Sequence, residues 1–200
     1  MRNATVAVFV LAALVGALLI WRGGWPIAIV GVLSIASGVL YTGGPKPLAY
    51  VGLGDLFVLV FFGPVAVCGT YYVQSLRFSM TAFWAGLALG ALATAVLCVN
   101  NIRDAHTDVH AGKRTLAVRF GKSFVRGEYL LCIFAAYLGA AYFAFSIDLF
   151  CALPILTLPF ALYLCVQVFK KEREALNPYL GKTGALLMVY SLLMALGFWL

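Results

Sequence analysis

Residues 82–102 read AFWAGLALGALATAVLCVNNI, an apolar run that leads directly into RDAHTDVHAGKRTLAVRFG at residues 103–121. The run contains no Asp, Glu, Lys or Arg. A helix needs about 20 apolar residues to cross a bilayer. We therefore expect a transmembrane helix at residues 82–102, with a cluster of charged side chains just beyond its carboxyl end.

The same apolar pattern recurs along the whole chain. Hydrophobic residues make up 64% of the sequence and the mean hydropathy is +1.02, whereas soluble domains are roughly 45–50% apolar. The sequence predicts an all-α, polytopic membrane bundle that forms one domain over residues 1–200. We expect about seven transmembrane helices, at residues 4–20, 25–42, 55–74, 82–102, 127–147, 149–169 and 183–200.

The charged stretch after residue 100 is the predicted site of chemistry. If the preceding helix continues through it, Asn100, Asp104 and Asp108 fall on one face, because side chains four residues apart stack on a helix. Two carboxylates so close favour a shared cation, and hard oxygen ligands suit Mg²⁺ that also binds substrate phosphate oxygens. We therefore predict that Asp104 and Asp108 ligate Mg²⁺.

Six cations follow or accompany this pair of aspartates. Arg and Lys form charge-assisted hydrogen bonds to phosphate, so this basic cluster is the predicted clamp for the charge of the same phosphate group. Its members are Arg103, Lys113, Arg114, Arg119, Lys122 and Arg126.

The placement of the fourteen Lys and Arg residues predicts the orientation, because cytoplasmic loops collect cations. With the aspartate-containing loop inside, twelve of them are cytoplasmic, and only Arg22 and Arg77 are external. The amino terminus is then cytoplasmic and the carboxyl terminus external. The net charge of +7 is concentrated on one membrane face, and we expect no nucleic-acid partner.

Three connections are expected to share that face: residues 43–55, the aspartate stretch and residues 170–182. The first is rich in Gly and Pro, which predicts a shaped, non-helical segment. In the third, the sixth helix is expected to extend by a turn or two until Asn177-Pro178 stops it.

Several polar residues have more than one interpretation. His106 and His110 resemble a zinc pair, but the glutamate and third ligand of an H-E-x-x-H site are missing, and zinc is not expected. For Asp55 we favour a cap on the third helix over a substrate contact. Asn100 and Asn101 are unfavourable at membrane depth unless satisfied, so at least one is expected to face the site.

Some features have a purely structural interpretation. The five cysteines contain no C-x-x-C pair and are predicted to be small apolar core residues. Gly86 and Gly90, four residues apart, indicate close helix packing. The first apolar run is longer than a signal-peptide core and lacks a cleavage site, so we expect residues 1–24 to remain.

Three segments carry a resemblance to a known family: YTGGPKPLAYVGLGD (41–55) with FFGPVAVCGTYYVQ (61–74), NNIRDAHTDVHAGKRTLAVRFG (100–121) and ALNPYLGKTG (175–184). Along nearly its whole length the chain resembles the UbiA-type intramembrane prenyltransferases, and most closely the 1,4-dihydroxy-2-naphthoate polyprenyltransferases of menaquinone synthesis. The resemblance implies a helical bundle around a cavity, in the bacterial cell membrane, with Asp-rich motifs that hold Mg²⁺ and a polyprenyl diphosphate. It also implies transfer of the polyprenyl group to 1,4-dihydroxy-2-naphthoate, which yields demethylmenaquinone, CO₂ and diphosphate.

Site roles follow from combining the resemblance with the charged stretch. We assign catalytic roles to Asp104, Asp108, Lys113 and Arg114, and substrate binding to Asn100, Asn101, Arg103, Arg119 and Lys46.

The resemblance also implies nine helices, with a first Asp-rich motif on the second. This chain provides seven and begins near the third, so we interpret it as lacking about the first third of a family member, and we expect little prenyl transfer from residues 1–200 alone. Three alternatives stay open: a UbiA-type enzyme with another aromatic acceptor, a non-catalytic membrane remnant, and a transporter or channel. The last of these predicts charges inside a span or paired broken helices.

Overall fold

The computed structural model describes residues 2–43 and 47–200, and all the regular structure in these residues is helical. The α-helices are α1 (Arg2–Gly23), α2 (Trp25–Thr42), α3 (Gly54–Val60), α4 (Ala66–Ser75), α5 (Met80–His110), α6 (Leu116–Phe120), α7 (Lys122–Ser146), α8 (Leu158–Lys170) and α9 (Asn177–Trp199). Tighter 3₁₀ segments lie at Leu48–Tyr50, Leu149–Thr157 and Arg173–Leu176, and a π-helical turn, Phe61–Val65, joins α3 to α4.

Six segments of the described chain are long and apolar enough to cross a membrane: Ala4–Gly23, Gly54–Ser75, Met80–His110, Lys122–Ser146, Leu149–Lys170 and Arg173–Trp199. Helix α2 is shorter than these six segments and is apolar over Trp25–Tyr41. Each of the seven predicted runs coincides with helical structure. The prediction of an all-α, polytopic membrane bundle is therefore confirmed.

Helix α5 lies at the centre of this bundle. In its most apolar stretch 61% of the residues are buried, whereas none is buried in the corresponding stretch of α1. The helix begins after Ser79, whose Oγ accepts a hydrogen bond from the Ala82 N–H at 3.2 Å and so caps the first turn. It continues to His110 before Gly112, at φ +69°, turns the chain. Asn100, Asp104 and Asp108 thus share one continuous helix, as predicted.

Helix α5 packs backbone to backbone against the π-helical turn. Pro64 lies inside this helical run and Gly63 has non-helical angles of φ −108° and ψ −109°, so the chain bends here. A Cβ on Gly63 would lie 2.6 Å from the Gly86 carbonyl oxygen, and one on Gly86 would lie 2.7 Å from Pro64 Cα. The prediction that Gly86 and Gly90 mark close helix packing is confirmed.

The connection between α8 and α9 differs from the prediction. Helix α8 ends at Lys170 and α9 already begins at Asn177, so Asn177-Pro178 starts the last helix rather than stopping the sixth. Proline is tolerated in the first helical turn because its missing N–H has no intrahelical acceptor there. Lys182, expected in a loop, accordingly lies within α9.

The three long connections meet at one end of the bundle, which we call the polar end. Hydrogen bonds join them: Arg114 N to Tyr50 O at 3.0 Å, Arg103 Nη1 to Asn177 Oδ1 at 3.2 Å, and Lys122 Nζ to Glu172 Oε2 at 3.0 Å. The predicted common face of these connections is therefore confirmed.

The five cysteines are free thiols, and four of them are buried while Cys68 is half-buried. Their predicted role as apolar core residues agrees with this placement, although Cys98 also has polar neighbours.

Candidate active site

A cavity of about 270 Å³ lies at the polar end, between the start of α3, the last third of α5 and the connection that follows α5. We call it the polar cavity. Tyr41, Tyr50 and Leu97 supply flat or apolar walls. Its polar lining consists of Asp55, Asn100, Asn101, Asp108, Lys113 and Thr115. Four of the predicted site residues, Asn100, Asn101, Asp108 and Lys113, are thus brought together.

Asp108 and Lys113 form an ion pair in this cavity. The turn at Gly112 lets the Lys113 N–H donate to the Asp108 carbonyl oxygen at 2.9 Å, and Nζ lies 3.1 Å from Oδ1. Asp108 is only 5% exposed. The hydrogen bond with Asp108 raises the pKa of Lys113, so its ammonium group stays charged at neutral pH. A fixed cation therefore lies beside a buried carboxylate.

Asp104 has a different partner. Arg103 Nε donates to Asp104 Oδ1 and Nη2 to Oδ2, both at 2.7 Å, which is a two-pronged contact. The same guanidinium also binds Asn100 Oδ1 at 2.8 Å and Asn177 on α9. Asp104 and Asp108 are thus one turn apart, each with its own cation, and a shared Mg²⁺ stays a prediction.

Asp55 is a buried part of the site rather than a helix cap. The residue preceding α3 is Leu53, and no side chain caps this helix. Asp55 is 4% exposed, and its Oδ1 accepts a hydrogen bond from Asn101 Nδ2 at 3.2 Å. The favoured capping interpretation is therefore wrong, because the Asp55 carboxylate is bound by the Asn101 amide on α5 and does not cap α3. The expectation that at least one of Asn100 and Asn101 faces the site is confirmed for both.

Behind Asp55 lies a second carboxylate that the sequence analysis did not single out. A carboxylate oxygen of Asp55, Cys98 Sγ and a carboxylate oxygen of Glu128 all lie within 4.8 Å of one another. Glu128 Oε2 is buried and forms no hydrogen bond. The sequence contains one sign of this carboxylate: Glu128 is an acidic residue at the second position of the apolar run 127–147.

The remaining predicted cations hold the loops together. Arg119 Nη1 donates to the Val51 carbonyl oxygen at 3.1 Å, and the Arg114 N–H binds Tyr50 O. Both residues thus fix the 48–52 segment against the connection that follows α5. Lys46, predicted to bind substrate, lies outside the described residues.

The histidine pair is exposed on α5. The rings of His106 and His110 lie 4.9 Å apart, and His110 Nδ1 is 2.8 Å from the His106 carbonyl oxygen. Within residues 2–43 and 47–200, the grouping of three potential metal-binding side chains is the Asp55 cluster and does not include a histidine.

Comparison with known proteins supports the expected family. A model of the UbiA prenyltransferase family matches residues 1–179. A 1,4-dihydroxy-2-naphthoate octaprenyltransferase of Mycobacterium tuberculosis is 42% identical over 194 residues, which cover 96% of this chain and 64% of that protein. Proteins of the same name from Haemophilus influenzae and Escherichia coli are each 36% identical, over 84% and 86% of this chain and 55% and 57% of their own lengths.

The chain spans less than two thirds of the length of these relatives. The family model nevertheless covers most of it, including the polar cavity and the stretch from Asn100 to Gly121. The chain belongs to the UbiA prenyltransferase family.

Proposed function

We propose that this protein takes part in the Mg²⁺-dependent transfer of a polyprenyl group from polyprenyl diphosphate to 1,4-dihydroxy-2-naphthoate, with demethylmenaquinone, CO₂ and diphosphate as products. The observation that carries the proposal is the ion pair of buried Asp108 and partly exposed Lys113 in a polar cavity at one end of an apolar bundle. The names of the relatives point to the same prenyl donor class and the same acceptor.

Asp104 and Asp108 are the residues that would hold the metal. Their carboxylate oxygens, with Asn100 Oδ1 on the same helix face, are the hard ligands that Mg²⁺ prefers. Mg²⁺ bound there would neutralise negative charge on the diphosphate. Arg103 and Lys113 now neutralise these carboxylates. We expect both to turn towards phosphate oxygens when substrate binds.

The cationic side chains have a role in bond cleavage. When the allylic carbon–oxygen bond breaks, negative charge grows on the leaving diphosphate, and groups already positioned around it lower the barrier. Arg103 on α5, Lys113 in the connection that follows and Arg119 on α6 supply such groups, and we expect Arg114 and Lys46 to act with them. The electron-rich naphthoate ring then captures the allylic carbocation.

The isoprenoid tail needs an apolar path. A cavity of about 620 Å³ lies between α2 and the bent segment formed by α3 and the π-helical turn, with Phe57, Phe61 and Phe62 among its lining residues. Tyr41 lines both this cavity and the polar cavity. We assign the tail to the apolar cavity, because this arrangement puts its allylic end beside Tyr41 and keeps water away from the carbocation.

The proposed location is the bacterial cell membrane, with the polar end and the amino terminus on the cytoplasmic side and the carboxyl terminus outside. The support is the distribution of cations between the two faces. Single cysteines introduced at Lys182 and Arg77, in a background without native cysteines, would be labelled from opposite sides by a membrane-impermeant maleimide. Labelling of both from the same side would contradict this orientation.

Binding and turnover test the proposal separately. The 200-residue chain is reconstituted into liposomes with an octaprenyl diphosphate, the naphthoate and Mg²⁺, and the prenylated product is measured by mass spectrometry. Product, even in the small amount expected from residues 1–200, that disappears in Asp108→Asn supports the transferase. Mg²⁺-dependent diphosphate binding without product favours the non-catalytic alternative, and product only with a different phenolic acid favours another acceptor.

A further inference from the structure

Thr115 is a buried hydroxyl in the polar cavity without a hydrogen-bond partner. It is 8% exposed, it lines the cavity, and its Oγ1 forms no hydrogen bond. It immediately precedes α6, where threonine ordinarily accepts a hydrogen bond from a backbone N–H, yet its side chain caps nothing. A buried hydroxyl left unpaired is unfavourable. This group is therefore available to a polar atom of a ligand.

Asp55 offers a second contact from another wall of the cavity. Its carboxylate is held by the Asn101 amide, and each carboxylate oxygen has more than one lone pair for accepting hydrogen bonds. The cavity thus presents a hydroxyl and a carboxylate from two of its walls.

The remaining walls limit what can bind. Tyr41, Tyr50 and Leu97 give flat or apolar surfaces, which suit an aromatic ring. The volume of about 270 Å³ is small beside the roughly 300–1,000 Å³ of common ligand pockets, so a two-ring acid fits and a polyprenyl chain does not.

We propose that the polar cavity is the binding site of the aromatic acceptor, with Asp55 accepting a hydrogen bond from one ring hydroxyl and Thr115 bonding to the other. This assignment rests on the proposed function, because that function supplies the acceptor, a dihydroxy aromatic acid. The diphosphate would then lie next to the acceptor, held through Mg²⁺ by Asp104 and by Asp108 at the edge of the cavity.

The test measures binding of 1,4-dihydroxy-2-naphthoate to the detergent-solubilised 200-residue chain, by ligand fluorescence under anaerobic conditions, without Mg²⁺ or diphosphate. Thr115→Val should weaken binding about fivefold and Asp55→Asn about tenfold, on the order of one lost hydrogen bond each. Thr115→Ser, which keeps the hydroxyl, should restore most of the affinity. Thr70→Val is the matched control, because the Thr70 hydroxyl is exposed and bonds to its own helix at Ala66 O.

A second ligand makes the assignment specific. Wild-type protein should prefer the dihydroxy acid to 2-naphthoate, which lacks both hydroxyls, and this preference should shrink in Thr115→Val and in Asp55→Asn. Equal affinities for the two acids in wild type, or unchanged affinities in both folded variants, would overturn the assignment. Formation of prenylated product, measured separately with Mg²⁺ and the diphosphate, decides the proposed function, so the two can fail independently.

Discussion

Asn101 donates a hydrogen bond from Nδ2 to Oδ1 of Asp55 at 3.2 Å, so two residues 46 positions apart meet inside the bundle. This contact joins α5 to α3 at the polar cavity. It also satisfies a carboxylate that is 4% exposed.

Removal of this donor should destabilise the fold. Asn101→Leu leaves the Asp55 carboxylate buried without its amide partner, and we expect the free energy of unfolding to fall by about 1–3 kcal/mol. Thermal unfolding in detergent, followed by circular dichroism, measures the change. Gln74→Ala, at an exposed position, is the control. If Asn101→Leu is as stable as wild type, the contact does not hold the two helices together.

Asp104 and Asp108 should each matter for Mg²⁺-dependent binding of the diphosphate. Replacement of either by Asn should weaken binding of a non-hydrolysable polyprenyl diphosphate analogue by tenfold or more, about 1.4 kcal/mol, because a charged ligand to the metal is lost. Isothermal titration calorimetry with and without Mg²⁺ measures this change in affinity. Asp148→Asn provides a control, since that residue caps the 3₁₀ segment after α7. Unchanged binding in both site variants would refute the metal assignment.

Glu128→Gln should stabilise the protein. Glu128 and Asp55 have carboxylate oxygens within 4.8 Å and repel each other when both are ionised. The amide is of similar size and uncharged, so we expect a gain of about 1 kcal/mol in unfolding free energy at pH 7. Glu174→Gln, at an exposed site, is the comparison. A loss of stability in Glu128→Gln would mean that a cation balances the two carboxylates.

The salt bridge between Lys122 and Glu172 should give a pH-dependent difference. The hydrogen bond from Lys122 lowers the pKa of Glu172 below its usual value. A folded-state pKa below the unfolded one contributes stability above about pH 4.5, and this contribution is lost as the pH falls through the folded pKa. Glu172→Gln should therefore lower the melting temperature slightly at pH 7 and leave it unchanged near pH 3. The effect is small because Glu172 is exposed. An equal decrease in melting temperature at both pH values would show that the effect of the substitution comes from packing and not from the salt bridge.

Gly90→Ala should be strongly destabilising. A Cβ at this position would collide with the Leu59 carbonyl oxygen and would lie 3.0 Å from Gly63 Cα, so a backbone would have to move. We expect a loss of about 1–3 kcal/mol. Gly69→Ala is a matched control, because it is also helical and has no neighbouring atom within 4 Å of the added Cβ. Comparable melting temperatures for the two variants would contradict the tight contact.

The helices of this protein could be predicted from its sequence, because a helix that crosses the bilayer needs about 20 consecutive apolar residues and such runs are easily recognised. The site was harder to predict. Asn100, Asn101, Asp108 and Lys113 lie in one short stretch, so helical spacing was enough to group them. Asp55, Tyr50 and Thr115 reach the same cavity from other segments, and only the packing of α3 against α5 shows that they meet.

Two local errors have the same origin. Asp55 was assigned to a cap, and Asn177-Pro178 to a helix stop, because each residue pattern is common in that role when considered alone. In the folded chain Asp55 is bound by Asn101, and Pro178 lies in the first turn of α9, where its lack of an N–H is harmless. Tertiary contacts decided both cases.

The glycine contact between α5 and the π-helical turn also bears on extraction from the membrane. Side chains that pack against each other in a bilayer can exchange their neighbours for lipid tails or detergent, which are equally apolar. At the glycine contact, backbone atoms of the two segments touch directly, so a lipid tail or a detergent molecule cannot enter between them. Solubilisation should therefore loosen the peripheral α1 well before it changes the spacing of α3 and α5, so the walls of the polar cavity should outlast the rest of the bundle in detergent.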